Sequence, residues 1–123
     1  MTNTVLRWLR GYPGLETLRP EALEPTPGST GLFCKGLTLL RRRADITGRE
    51  LRRQRLDFLL LRHCTGDAGA QWLLDFTPWA QATAPALGRD SVFSCGKGRL
   101  IRDDGQGVSR YELQLSFEFT QEV

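Results

Sequence analysis

The most regular pattern in the chain lies near its C-terminal end. In "RYELQLSFEF", Tyr111, Leu113, Leu115, Phe117 and Phe119 alternate with Arg110, Glu112, Gln114, Ser116 and Glu118. A period of two between apolar and polar side chains defines a strand with one buried and one wet face. Just upstream, Asp104-Gly105-Gln106-Gly107 separates this run from another extended stretch. Turn formers between two extended runs predict a hairpin, with strands over 98–103 and 108–119.

Two segments carry helical spacing instead. Over 2–10, Val5, Leu6 and Leu9 form an apolar stripe, Trp8 lies beside it, and Arg7 and Arg10 lie outside it. Thr2 or Asn3 is placed to cap this helix, and "GYPG" ends it. Over 67–82, Trp72, Leu73, Phe76, Trp79 and Ala80 recur at three- and four-residue spacing behind a potential Asp67 cap. Pro78 interrupts this second pattern, so it predicts a kinked helix or two short ones. The stretch between residues 14 and 30 contains Pro20, Pro25 and Pro27 and reads as extended chain and loop, with room for a short edge strand near Leu15 to Leu18. "PALGRDS" reads as loop.

The segment "LLRRRADITGRELRRQRLDFLLLRHC", residues 39–64, supports two readings. Thr47-Gly48-Arg49-Glu50 fits a capping box, and the residues after it are good helix formers. That predicts a basic helix of the kind that meets phosphates. The second reading rests on symmetry. Residues 31–43 run from apolar to basic, residues 49–62 run from basic to apolar, and "ADITG" stands between them. Mirror symmetry about turn residues is what a long hairpin produces, and it favours the ribbon. Leu37, Leu39 and Leu40 would then sit near Leu56, Phe58 and Leu60 in a core sheet. Arg41, Arg42, Arg43, Arg49, Arg52, Arg53 and Arg55 would ride on a tip that projects into solvent.

Together these elements predict an α+β fold over a single domain, residues 1–123. It has a small antiparallel or mixed sheet of about four strands with a long β-hairpin over 31–64, packed against two helices. Charge sharpens the picture. The chain carries a net +3, but residues 41–62 hold eight Arg against Asp45, Glu50 and Asp57. That segment is therefore +5 and the remainder −2. A basic character confined to one feature points to one anionic neighbour, either an acidic protein surface or nucleic acid. Like charges facing each other across a hairpin are destabilising, so a lone subunit gains nothing from them.

Candidate chemistry is sparse. Cys34, Cys64 and Cys95 never form a CxxC pair, match no zinc spacing and read as small buried apolar residues. His63, the single histidine, adjoins Cys64, but neighbours on a strand point to opposite faces. "GKGR" lacks the spacing and the Ser/Thr of a phosphate loop, and Asp103-Asp104 sits where Asp is a turn former. The sequence therefore predicts no catalytic residue, no cofactor and no metal. No apolar run approaches the roughly 20 residues of a membrane span, and the N-terminus lacks a signal-type apolar core, which predicts a protein that stays in the cytoplasm.

The order of motifs resembles a known family. A short helix and a Pro-rich segment lead to a hairpin ending in "LDFLLLRHC", then a "DFTPWAQ" helix, a "PAL" loop, a "GKGRLI" strand and a final "SRYELQLSFEF" strand. This is similar to the minor capsid or tail terminator proteins of long-tailed phages and prophages, from about residue 30 onward. In that family an "F…W" helix precedes an "LP.L" loop, and the chain ends in a strand of the form "aRYqiqlrlxY". Phe76 and Trp79, Pro85 and Leu87, and Arg110, Tyr111, Leu113 and Leu115 stand at the matching positions. Phe117 and Phe119 replace a more usual Tyr, and the arginine-rich tip is denser than is typical.

The resemblance implies a structural protein, not an enzyme, that assembles as a ring, typically a hexamer. The ring would cap the head-proximal end of the tail tube and join a head completion or connector protein, with DNA passing through its lumen. Its partners would be further copies of itself, the major tail tube protein and the connector. Its place would be the virion tail, and the host cytoplasm during assembly. The alternative implied by the arginines alone is a basic nucleic-acid-binding module using residues 41–62.

Overall fold

The computed structural model describes residues 1–65, 68–103 and 108–122. In chain order the elements are α1 (Thr2–Leu9), β1 (Arg19–Pro20), β2 (Thr30–Ala44), β3 (Glu50–Thr65), α2 (Ala68–Thr83), β4 (Arg89–Cys95), β5 (Arg99–Asp103) and β6 (Val108–Glu122). The fold is α+β, with one six-stranded mixed sheet in the order β1-β2-β3-β6-β4, and β5 also on β6. Among the described strands only β1 and β2 pair in parallel. The sheet thus exceeds the expected four strands. β1 falls at Arg19–Pro20, after Leu15 to Leu18, and β4 begins inside the stretch that reads as loop.

The ribbon reading holds and the helix reading does not. β2 and β3 pair antiparallel from Thr30 opposite Arg62 to Ala44 opposite Glu50, with bulges between Cys34 and Gly36 and between Leu39 and Arg41. The turn is built by Asp45. Its Oδ1 accepts hydrogen bonds from the Thr47 amide, the Thr47 hydroxyl and the Arg49 amide at 2.8, 2.6 and 3.0 Å. Gly48 follows at φ +84°, a conformation glycine adopts without steric penalty. Thr47, which would have capped a helix, donates back to Asp45 and closes a hairpin instead.

The alternation in β6 sorts its side chains as predicted. Leu113, Leu115, Phe117 and Phe119 are buried and face the helices. Opposite them on the same face of β3 stand Leu60, Phe58, Leu56 and Gln54. Burying a side chain of this size contributes about 1.5–3 kcal/mol. α1 presents Val5, Leu6 and Leu9 to this core without a side-chain cap, since Met1 occupies the N-cap position. α2 is one continuous helix with Pro78 inside it, and Phe76 and Ala80 are its buried contacts in the core. Trp8 of α1 stacks on Trp79 of α2 at 5.4 Å, and Tyr12 meets Phe76 edge-on at 5.2 Å. Both helices therefore lie on one face of the sheet. The Asp67 cap and the Asp104–Gly107 turn lie outside the described residues.

Two expectations fail for one reason: the outer half of β2 has no cover. Leu37, Leu39 and Leu40 are 54%, 47% and 40% exposed rather than buried beside Leu56 and Phe58. Cys34 is exposed as well, whereas Cys64 is buried and Cys95 is half-buried. Nor does the tip of the hairpin stand free. β6 runs alongside β3 as far as Leu51 opposite Glu122, so the tip is the end of a three-stranded sheet.

Candidate interaction surface

The arginines of the ribbon are distributed over both faces of this sheet end. Arg41 stands opposite Arg53 and Arg42 opposite Arg52, so the like charges predicted from the mirror pattern do face each other. Most are answered within the chain. Glu50 lies 3.2 Å from Arg42 and 3.3 Å from Arg52. Arg49 pairs with Glu122. Arg55 pairs with Asp57 at 3.1 Å.

Arg53 is the most committed of them. Its side chain is 16% exposed and pairs with Glu118 at 2.9 Å. It also donates to the Asp90 carbonyl at 2.7 Å and the Thr120 hydroxyl at 3.1 Å. This corrects the expectation that Arg52, Arg53 and Arg55 all project: Arg53 lies along the sheet and ties β3 to β6 and β4. Arg41 and Arg43 are exposed and have no acidic partner among the described residues.

The carboxylates that matter here carried a readable signal. Glu118 and Glu122 occupy the polar positions of the period-two pattern in the last strand, on the face shared with Arg53 and Leu51. Which arginine each one meets depends on strand register, which the local pattern does not contain. Asp57 is buried on this same face, where Ser116 donates to it at 2.6 Å. Burial pushes its carboxyl up, but the Ser116 hydroxyl and the Arg55 guanidinium outweigh that and hold it below the usual carboxylate value.

The residues of the terminator-like motif are placed on the other face. Phe76, Leu113 and Leu115 are buried, Trp79 is partly buried against the same core, and Tyr111 lies against the start of α2 at Gly69. They organise packing, and among the described residues none forms a hydrogen bond or ion pair with the seven arginines of the ribbon tip. Arg62, the eighth arginine, also leaves the group: it lies over the Trp72 ring at 4.8 Å and donates to Thr30 at 2.6 Å.

Cys64 and Cys95 are not activated thiols. Burial pushes Cys95 up to about 11 and raises Cys64 as well, and a thiol above its ordinary value stays protonated at neutral pH. His63 bonds the Glu24 carbonyl through Nδ1 at 2.6 Å, which ties the preceding loop to β3. Asp103-Asp104 falls outside the described side chains. Among the described residues no three His, Cys, Asp or Glu side chains gather as a metal site, and no helix is long and apolar enough to cross a membrane. One apolar groove lies between α2 and the link from β4 to β5, bordered by Leu73, Leu74, Pro78 and Leu100. Comparison with protein-family models and with curated proteins returned no match.

Proposed function

We propose that this protein is a structural assembly component of a phage tail, of the terminator or tail-completion type. In this reading copies associate into a ring, with six the order the resemblance implies. The ring seats on the head-proximal end of the tail tube and presents a surface to the head connector. The observation that carries the reading is the sheet end itself. Five of the seven ribbon arginines are held by the chain's own carboxylates, while Arg41 and Arg43 face solvent without one among the described residues. A hydrogen-bonded three-stranded end with two exposed cations suits docking against an acidic protein surface, because paired strands have less backbone freedom to lose on binding. No bond making is involved. The virion tail is the corresponding location.

The same arrangement supports nucleic-acid binding less well. Affinity for a phosphate backbone grows with the number of cations free to displace counterions, and most of these arginines are already engaged. The aromatic cluster around Trp8 and Trp79 lies on the face opposite Arg41 and Arg43, so it gives these two cations no base-stacking platform.

Sedimentation of the purified chain, alone and with tail tube protein, tests the proposal. The expected result is a ring or a tube-bound ring. A strict monomer at every concentration that also ignores tubes overturns it. Retention on duplex DNA at about 50 mM salt, lost steeply as salt rises, would transfer the assignment to nucleic acid.

A further inference from the structure

The sheet is open on both sides. β1 covers β2 only at Gly31 and Leu32, so beyond the bulge at Cys34 no described strand lies beside β2. On the far side β4 is the terminal strand. An open edge offers unpaired N–H and C=O groups as a template for another strand.

The register places these two edges at the same height. Gly36, Asp57, Ser116 and Ser94 form one line across the sheet, and Thr38, Arg55, Glu118 and Val92 form the next on the same face. Bulges and charges normally protect an edge from pairing. In β2 they occur on either side of Gly36–Leu39 and leave that stretch unguarded, with Leu37 and Leu39 exposed. In β4 the irregularity ends at Val92, so Val92–Cys95 is also regular, and Val92 is 55% exposed.

Strand direction and charge then select the occupant. β2, β3, β6 and β4 alternate in direction, so β2 and β4 of one copy are antiparallel. A second copy set edge to edge in the same orientation brings its β4 antiparallel to the first copy's β2, the more stable pairing. The helices of both copies stay on one side. Arg41 lies on the line of Arg53, Thr120 and Arg89, next to Asp90. Asp90 uses its carbonyl to hold Arg53, while its carboxylate, like Arg41, has no ion-pair partner among the described residues.

We infer that the β2 edge of one copy pairs with the β4 edge of the next, with Arg41 meeting Asp90 across the joint. The two surfaces differ, so the contact is head-to-tail and repeats until rotation closes it into a ring. This rests on the ring reading above and names the contact that makes the ring.

The test uses the full chain with Cys34→Ser, which removes the exposed thiol. Thr38→Cys and Val92→Cys in one chain should give a covalent ladder beyond the dimer under mild oxidation. Ser94→Cys replaces Val92→Cys to cover a two-residue stagger. A cross-link formed by Thr38→Cys alone would mean two-fold pairing of β2 edges and overturns the inference. Independently, Arg41→Glu and Asp90→Arg should each reduce assembly at least tenfold, and the double reversal should restore most of it. Rings that form without the cross-link and without rescue sink the joint and leave the ring reading standing. Cross-linking without tube binding keeps the joint and sinks the terminator reading. A wild-type chain that stays monomeric with and without tubes removes both.

Discussion

Arg42 stands directly opposite Arg52 across the β2–β3 ladder, and the single carboxylate of Glu50 reaches both. Cross-strand like charges repel, and Glu50 offsets that repulsion at this end of the ribbon. Glu50→Gln should lower stability by about 0.5–1 kcal/mol, at the modest end because all three groups are partly solvated. About 0.5 M salt should recover much of the loss by screening. Urea unfolding at two ionic strengths checks this. An equal loss in low and high salt would mean that Glu50 acts through packing rather than charge.

Asp57 links stability to pH. Its folded carboxyl titrates below the ordinary value near 3.9, so its contribution is present above that value and is lost as pH falls through the lower folded value. Asp57→Asn should reduce stability at pH 7 by about 1–3 kcal/mol, since Ser116 and Arg55 lose a charged acceptor. The variant's stability should also decline less between pH 5 and pH 2. Some acid sensitivity should persist, because hydrogen bonds hold Asp45 low at the turn as well. Denaturation midpoints across this range decide it: parallel curves for variant and wild type would exclude the linkage.

Gly69 brings α2 close against Tyr111 of β6. A Cβ there would lie 2.1 Å from the Tyr111 ring. Gly69→Ala should therefore destabilise by about 1–3 kcal/mol through overpacking, despite the better helix propensity of Ala. Adding Tyr111→Ala should make the pair strongly non-additive, with the double variant less unstable than the sum. Thermal melts of the two single variants and the double variant provide the cycle.

How much of this was legible in the sequence varies with how local each signal is. The last strand and α1 could be read directly because one face of each is buried by many neighbours, which imposes a strict period. The hairpin was legible from its symmetry even though Thr47 and Glu50 mimic a helix start. β4 was not, because an edge strand with one partner tolerates exposed positions such as Val92 and loses its alternation. The exposure of Leu37 and Leu39 was also hidden. Their pattern marks an apolar face but cannot say whether a helix reaches far enough to cover it. Arg53 and Arg41 look alike in sequence. Only the distance that β6 runs beside β3 makes one packed and the other free.

That difference yields the sharpest test of the surface. Arg41→Glu with Arg43→Glu changes two exposed side chains that have no acidic partner among the described residues, so stability should stay within about 0.5 kcal/mol. Ring formation and tube binding should fall together. Arg53→Ala should do the reverse in order of cause. It strands Glu118 and the acceptors on Asp90 and Thr120, so stability should drop by about 1–3 kcal/mol, and assembly should fail only where the chain unfolds. Sedimentation and thermal melts on the same preparations separate the two outcomes. If the Arg41/Arg43 variant assembled normally, the two cations would be solvated charges and the docking role would belong elsewhere on the sheet.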